Sequence, residues 1–216
     1  MRGKTYVENV KPIVDYIGAI FLVVLFLPLF VLTAIAIKLD SPGPVFADIP
    51  ERVGKNKKPF KLFKFRSMIE NAHQLLRTDR KLKKLFEEYK KNSYKLTHDP
   101  RVTRVGKFIR KYSIDEVPQF LNVLKGEMSI VGPRAYYLDE FVDQQKKYPQ
   151  TKKVIKKVIS VKPGITGIWQ VSGRSEINFD KRVEMDAEYV DNISLWGDLI
   201  IILRTPWAMI SGAGAV

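Results

Sequence analysis

Residues 16–37 read YIGAIFLVVLFLPLFVLTAIAI, a stretch between Asp15 and Lys38 that contains no charged side chain. As a helix it would measure roughly 33 Å at about 1.5 Å per residue, nominally enough to cross a bilayer. It is too long for a cleavable signal peptide, and no small-residue cleavage site follows it. The chain is therefore expected to be bound to a membrane.

Pro28 interrupts this apolar run. Proline removes a helical donor and clashes with the preceding turn, so a bend is expected there. The two arms would reach only about 18 and 13 Å, too short to span a bilayer alone. Basic residues flank both ends, at Lys4 and Lys11 before the run and at Lys38 after it. Two interpretations stay open: a re-entrant helix with both ends in the cytoplasm, and a spanning helix that tolerates its proline.

The composition of the whole chain restricts its partners and its chemistry. Lys and Arg number 37 against 23 Asp and Glu, a formal charge of +14, which indicates nucleic acid, a phosphorylated substrate or an acidic membrane surface as partner. Hydrophobic residues at 45% and charged residues at 28% exclude a disordered tail and a polytopic transporter. Cysteine is absent, which excludes disulfides and thiol chemistry, and two distant histidines argue against a zinc centre.

The rest of the chain alternates short strand-like runs with helical patterns. These patterns predict strands at 45–46, 60–65 and 128–131, a tight loop at 162–167, and helices at 68–91, 103–112, 114–125, 179–192 and 195–210. The predicted fold class is α+β, mostly helical. We expect a re-entrant membrane helix over residues 1–40 and a small cytoplasmic catalytic domain over residues 41–216.

Two further segments suit a membrane surface. Residues 145–174 contain no acidic side chain, and their paired lysines beside apolar residues predict an amphipathic basic helix. An anionic bilayer surface and simple solvation remain equal interpretations of it. Residues 195–210 are very apolar and carry Trp196 and Trp207, but Asp198 and Pro206 interrupt them, so this segment is expected to lie at the interface.

The chemistry is expected at Asp115 and Glu116, which open a predicted helix just after Arg110. A helix N-terminus stabilises carboxylates and attracts phosphate. The two carboxylates could bind Mg²⁺ and present a nucleophile to phosphorus. Alternatively, Glu116 completes a capping box with Ser113 and Asp115 only complements the helix dipole.

Two other cationic positions are weaker signals. The turn Gly132-Pro133-Arg134 ends a strand-like run and offers an Arg fork for phosphate. Lys64 and Arg66 lie on one face of a predicted strand. Neither signal is specific alone.

The order of the sequence motifs along the chain is a more specific signal than any one motif. The ordered motifs are LDSPGPVF (39–46), ERVG (51–54), FKFRSM (63–68), DPRVTRVG (99–106), SIDEVPQ (113–119), LNVLKGEMSIVGPR (121–134), KPGITG (162–167) and WQVSGR (169–174). The series resembles the bacterial sugar transferase family, the monotopic polyprenyl-phosphate phosphoglycosyl transferases, from about residue 11 to the C-terminus. In having only a few residues ahead of the apolar run, the chain resembles the small form of the family or its isolated catalytic domain.

The resemblance implies transfer of a sugar 1-phosphate from a UDP-sugar to polyprenyl (undecaprenyl) phosphate, with release of UMP. In the family, the residue matching Asp115 is the nucleophile that forms a covalent phosphosugar intermediate, and the one matching Glu116 assists proton handling. Mg²⁺, held partly by Asp115, would neutralise the diphosphate. The phosphate-binding candidates are Arg110, Arg134, Lys64, Arg66 and Arg174.

The resemblance also implies a setting. The reaction would be the first membrane step of surface glycan or exopolysaccharide synthesis, including capsule and lipopolysaccharide. The location would be the cytoplasmic face of the bacterial plasma membrane, in contact with anionic phospholipid. A homodimer is allowed for, and nucleic acid is not expected as a partner.

Two positions depart from the family pattern. The family often carries Ser-Pro at the bend, where this chain has Leu27-Pro28, and Pro-Arg-Pro where it has Pro133-Arg134-Ala135. The residues alone leave two other functional classes open. A membrane-tethered nucleic-acid-binding module would show a steep salt dependence of binding without UMP release, and a structural membrane scaffold would make Asp115 dispensable.

Overall fold

A computed structural model describes residues 5–92, 94, 96, 98–173 and 177–211. Within them the chain is mostly helical with two small sheets, which confirms the predicted balance of elements. The helices are α1 (Lys11–Leu25), α2 (Leu27–Asp40), α3 (Ala72–Thr78), α4 (Lys83–Lys91), α5 (Arg104–Lys111), α6 (Phe120–Leu124), α7 (Leu138–Lys147), α8 (Thr151–Val158), α9 (Ile168–Ser172), α10 (Phe179–Asp191) and α11 (Leu195–Ser211). The strands are β1 (Arg52–Val53), β2 (Pro59–Phe60), β3 (Ser129–Val131) and β4 (Gly164–Thr166).

The apolar N-terminal segment breaks between α1 and α2. Phe26 leaves helical geometry at φ −90° and ψ 4°, two residues before Pro28. The break lies there because Pro28 has no N–H for the carbonyl of Val24, four residues earlier. Hydrogen bonding resumes where Phe30 N donates to Phe26 O at 2.8 Å. Among the described residues, Tyr6–Asp40 is the one helical segment long and apolar enough to cross a membrane, judged by length and composition.

Both arms of this segment pack on the rest of the chain. Ala19 of α1 and Ile37 of α2 are buried. The Phe26 ring stacks on Phe120 with centroids 6.2 Å apart, and the Phe30 ring lies 4.6 Å from that of Phe65. The opposite face exposes large apolar side chains, among them Ile13, Ile17, Phe21, Val24, Leu27, Leu32 and Leu39. A surface of this kind marks contact with lipid or another apolar partner.

Buried polar contacts fix both ends of the segment. At the α1 end, Lys11 Nζ donates to Asp198 Oδ2 of α11 at 2.5 Å, and Ser129 Oγ of β3 donates to Asp15 Oδ2 at 2.6 Å. At the α2 end, the backbone N–H of Val105 in α5 donates to Asp40 Oδ2 at 3.1 Å. The two ends are therefore held by the same globular part of the chain.

The two sheets are minimal. β1 and β2 form an antiparallel hairpin, and β3 pairs with β4 in parallel. A Cβ on Gly164 would lie only 2.0 Å from the backbone nitrogen of Gly132, so the two chains cross too closely for any side chain. β4 occupies the middle of the segment that the sequence predicted as a tight loop, and this correction reflects pairing with a strand distant in sequence.

Several predicted elements are interrupted. The helix expected over 68–91 is divided into α3, a short 3₁₀ turn and α4, because Asp79 is extended and its side chain caps the turn by accepting from Lys81 N at 2.9 Å. The basic helix expected near 146–159 is divided around Pro149 into the end of α7 and α8. Of the strand expected over 60–65, only Phe60 pairs within a strand, and Phe65 forms a single bridge with Phe46.

Candidate active site

A cavity of about 470 Å³ opens beside the segment that follows α5. It is large enough for a small-molecule substrate. The predicted site residues that line it are Lys64, Arg66, Arg110, Asp115, Glu116 and Arg134. Arg174 lies outside the described residues. Pro28 lies at the break between α1 and α2, away from this lining.

Asp115 lies on a 3₁₀ turn, Ile114–Gln119, which corrects the predicted regular helix from 114 to 125. Ser113 adopts a left-handed conformation at φ 54°, and its side chain does not cap the turn. Pro118 lacks an N–H, so regular α-helix begins only at Phe120. The capping-box interpretation of Glu116 is therefore wrong, because it required a Ser113 side-chain cap.

Lys64 holds the Asp115 carboxylate. Its Nζ lies 2.9 Å from Asp115 Oδ2 and 3.4 Å from Glu116 Oε1. Asp115 is only 3% exposed. Burial raises the pKa of Asp115 above its usual range, the Lys64 ammonium opposes that rise, and the Glu116 carboxylate adds to it. A buried carboxylate with a single adjacent ammonium is poorly solvated, which suits a nucleophile.

Two arginines bring positive charge to the same cavity. Arg110 lies in the last turn of α5, a helix whose first turn is capped by Thr103 Oγ1 accepting from Gly106 N at 2.9 Å. Arg134 follows β3, and its guanidinium lies 4.9 Å from the centre of the Trp169 ring. Stacking on an aromatic ring restrains a guanidinium group while leaving its edge for an anion. The structure thus brings together the predicted carboxylates and cations.

Arg66 is held by the loop that follows α2. Its Nε donates to Pro44 O at 2.5 Å, and its two terminal nitrogens donate to Ser41 Oγ and Ser41 O at 2.7 and 2.9 Å. The loop approaches this closely because Gly43 adopts φ +115°, which glycine tolerates. The guanidinium therefore fixes the exit of α2, a role that the sequence did not reveal.

The carboxylates fit Mg²⁺ bound together with a substrate. Within the described ranges, no group of three or more His, Cys, Asp or Glu side chains could hold a metal ion. Adjacent Asp115 and Glu116 supply two carboxylates at the cavity. Mg²⁺ usually binds one or two carboxylates plus substrate phosphates, so this donor set suits it without further protein ligands.

One part of the cavity was missed by sequence reasoning. Arg52, His73, Tyr89 and Tyr137 also line it, at a distance in sequence from the acidic pair. The motif ERVG at 51–54 contained Arg52 and was the one available signal. The aromatic residues gave none, because a tyrosine in a charged helix is ordinarily a packing residue.

Comparison with known proteins identifies the family of this chain. A sequence profile of the family described as "Bacterial sugar transferase" matches residues 6–212. The chain belongs to this family.

Named relatives match most of the chain. It is 39% identical over 208 residues to the "UDP-galactose-lipid carrier transferase" of Erwinia amylovora, covering 93% of this chain and 40% of the relative. It is 40% identical over 196 residues to the "UDP-glucose:undecaprenyl-phosphate glucose-1-phosphate transferase" of Escherichia coli strain K12, covering 88% and 38%. The "Exopolysaccharide production protein ExoY" of Rhizobium meliloti is 39% identical over 191 residues, covering 88% of this chain and 81% of the relative. The chain thus spans about two fifths of the first two relatives and most of the third.

Proposed function

We propose that the protein transfers a sugar 1-phosphate from a UDP-sugar to polyprenyl phosphate through an aspartyl intermediate on Asp115. The observation that carries this proposal is the buried Asp115 carboxylate, paired with Lys64 at 2.9 Å in a cavity that Arg110 and Arg134 also line. The names of the relatives support the substrate class, since they specify UDP-sugars and undecaprenyl phosphate.

The first step forms one bond and breaks one. An Asp115 carboxylate oxygen attacks the β-phosphorus of the UDP-sugar, and the bond from that phosphorus to the bridging oxygen breaks. The electron pair leaves with UMP. Arg110 and Arg134 stabilise the charge that develops on the phosphate oxygens. The product is a mixed anhydride between Asp115 and the sugar phosphate.

The second step restores the enzyme. An oxygen of polyprenyl phosphate attacks the same phosphorus, the bond to Asp115 breaks, and the carboxylate is regenerated with a polyprenyl diphosphate sugar as product. Glu116, partly exposed beside Asp115, takes up a proton from the acceptor if it arrives protonated. Mg²⁺ held by Asp115 would supply neutralisation of the diphosphate charge.

The proposal includes a re-entrant membrane segment over residues 1–40, a catalytic domain over residues 41–216, and a location on the cytoplasmic face of the plasma membrane. Supporting it, α1 and α2 each pack on the globular part, and Lys11 and Asp40 are both bonded to it. A spanning helix would carry one end about 30 Å away, across the hydrocarbon layer. The exposed apolar face would enter one leaflet, beside exposed Trp196 and Trp207 of α11.

This geometry suits the acceptor. Phe65 packs on Phe30 near the break, and its backbone N–H donates to the Asp115 carbonyl at 2.9 Å. The nucleophile is therefore held close to the membrane segment, and this proximity supports the proposal that it meets the headgroup of a polyprenyl phosphate.

Release of UMP tests the proposed reaction. The full chain in nanodiscs is mixed with a panel of UDP-sugars and Mg²⁺, with and without undecaprenyl phosphate. We expect a burst of at most one UMP per enzyme without the acceptor and multiple turnovers with it. Steady turnover that begins only after the acceptor is added, without any burst, would contradict a covalent intermediate.

A further inference from the structure

The cavity has an aromatic end that the proposed chemistry does not use. We give this name to Arg52, His73, Tyr89 and Tyr137, all of which line the cavity. The Arg52 guanidinium carbon lies 3.3 Å from the centre of the Tyr137 ring, and the His73 ring lies 6.2 Å from it. The result is a flat, positively charged platform made of a guanidinium on a phenol ring.

The aromatic end has unused hydrogen-bonding capacity. Arg52 is buried, and one terminal nitrogen donates to Ala135 O at 3.1 Å, but its buried Nε has no acceptor. A buried donor without a partner is costly. Burial and the nearby Arg52 and Arg101 guanidinium groups lower the pKa of His73 to about 4. The imidazole is therefore neutral at pH 7 and offers one donor and one acceptor.

The aromatic end and the catalytic carboxylates line the same cavity. Arg134 interacts electrostatically with Glu140 most strongly, and also with Glu116 and Tyr137. Arg52 and Tyr137 pair as neighbours in a β-bridge, and Arg134 lies three residues before Tyr137. A ligand whose phosphate meets Arg134 would therefore direct its adjoining group toward the platform.

We propose that the aromatic end binds the uracil base of the UDP-sugar, with the base stacked on the Arg52–Tyr137 platform and its edge hydrogen-bonded to His73. Bases stack on aromatic rings and on guanidinium planes, and uracil combines carbonyl acceptors with an N–H donor that a neutral His73 can meet. This inference rests on the proposed function, because it assigns one part of the proposed donor to one part of the cavity.

The sugar is the competing occupant, but the observations favour the base. A planar base can stack its face on the guanidinium of Arg52 and turn its edge toward the imidazole of His73. A sugar ring is puckered and carries hydroxyl groups around its rim, so it would leave much of the platform uncovered. Sugar binding at the aromatic end is thus an outcome that contradicts the assignment.

Binding of small probes to the full chain in nanodiscs tests the assignment. The probes are UMP, ribose 5-phosphate (which has the phosphate without the base) and galactose 1-phosphate, titrated calorimetrically. The variants are Arg52→Met and His73→Leu. The matched control is Tyr148→Leu, which removes a half-buried tyrosine that stacks on Phe179 outside the cavity. His73→Leu keeps the test valid if Arg52→Met fails to fold.

We expect the parent protein to prefer UMP over ribose 5-phosphate by at least about tenfold. Arg52→Met and His73→Leu should each reduce that preference about tenfold or more while leaving ribose 5-phosphate affinity nearly unchanged. Tyr148→Leu should keep the preference. Variants that retain the preference, or that lose affinity for galactose 1-phosphate instead, would overturn the assignment while leaving the proposed reaction intact. A parent protein with no preference for UMP would overturn the assignment and the UDP-sugar donor together.

Discussion

The ammonium group of Lys64 lies 2.9 Å from the Asp115 carboxylate, and the next residue, Phe65, donates its backbone N–H to the Asp115 carbonyl at 2.9 Å. Two segments distant in sequence are thereby joined at both side chain and backbone. The contact neutralises a carboxylate that burial would otherwise penalise. It also ties the nucleophile to the Phe30–Phe65 contact at the membrane segment.

Replacing Lys64 by Met is expected to raise the pH at which activity is lost on acidification. The reactive form of Asp115 is the ionised carboxylate, which predominates above its pKa. Because the ammonium lowers that pKa, its removal raises it further, and on acidification activity should be lost at a higher pH than in the parent. The measurement is kcat/KM for UMP release against pH, with Lys64→Arg as the charge-preserving control. An acid limb at the same pH in Lys64→Met and the parent would refute the pairing.

Arg110→Lys and Arg134→Lys should each lower kcat/KM by about tenfold or more, although both retain the charge. A guanidinium fork binds two phosphate oxygens at once, whereas an ammonium is a point charge. Arg134 would additionally lose its stacking on Trp169. Steady-state UMP release checks the expectation, with the surface variant Lys90→Met as control. A lysine variant with the turnover and UDP-sugar dependence of the parent would reassign that arginine to packing.

Lys11→Met should destabilise the protein by about 3 kcal/mol, because it leaves the Asp198 carboxylate buried without its cation. This corresponds to a Tm lower by about 6–12 °C in detergent. The double variant Lys11→Met with Asp198→Asn should recover part of the loss, since the amide removes the unpaired charge. A Tm of Lys11→Met within a degree of the parent value would show that the pair contributes little to holding α1.

Single cysteines can locate both ends of the membrane segment, because the chain has no native cysteine. Lys4→Cys and Asp48→Cys should react with an impermeant maleimide in inside-out vesicles and stay unlabelled in spheroplasts. The Asp48 side chain is 75% exposed, and Glu87→Cys on exposed α4 serves as the cytoplasmic reference. Labelling of Lys4→Cys from the outside would establish a spanning helix and leave the catalytic proposal unaffected.

The parts of this fold that the sequence predicted are those with local causes. The break near Pro28 follows from a missing donor, and the helix predicted over 179–192 is found as α10. The short basic helix predicted over 103–112 is found at 104–111, where Thr103 caps its first turn. Asp115, Glu116, Arg110 and Arg134 were selected from motifs, and the structure places all four at one cavity.

The parts that the sequence could not predict depend on contacts between distant segments. β4 is a strand only because Gly164 can approach Gly132. The role of Lys64 depends on a residue 51 positions away, and that of Arg66 on the loop at 41–44. The left-handed Ser113 that turns a predicted helix into a 3₁₀ segment has no signature of its own in the sequence.

In the proposed reaction Asp115 forms a covalent bond to the sugar phosphate, and the mass of the intact protein reveals whether this bond forms. The parent protein is incubated with its UDP-sugar and Mg²⁺ without polyprenyl phosphate, quenched and weighed, then digested to locate the modification. We expect an increase equal to one sugar phosphate on the peptide containing Asp115, which disappears when polyprenyl phosphate is added. Asp115→Asn should show no adduct and a turnover lower by at least about 10³. An adduct on another residue, or near-normal turnover of Asp115→Asn, would contradict the account.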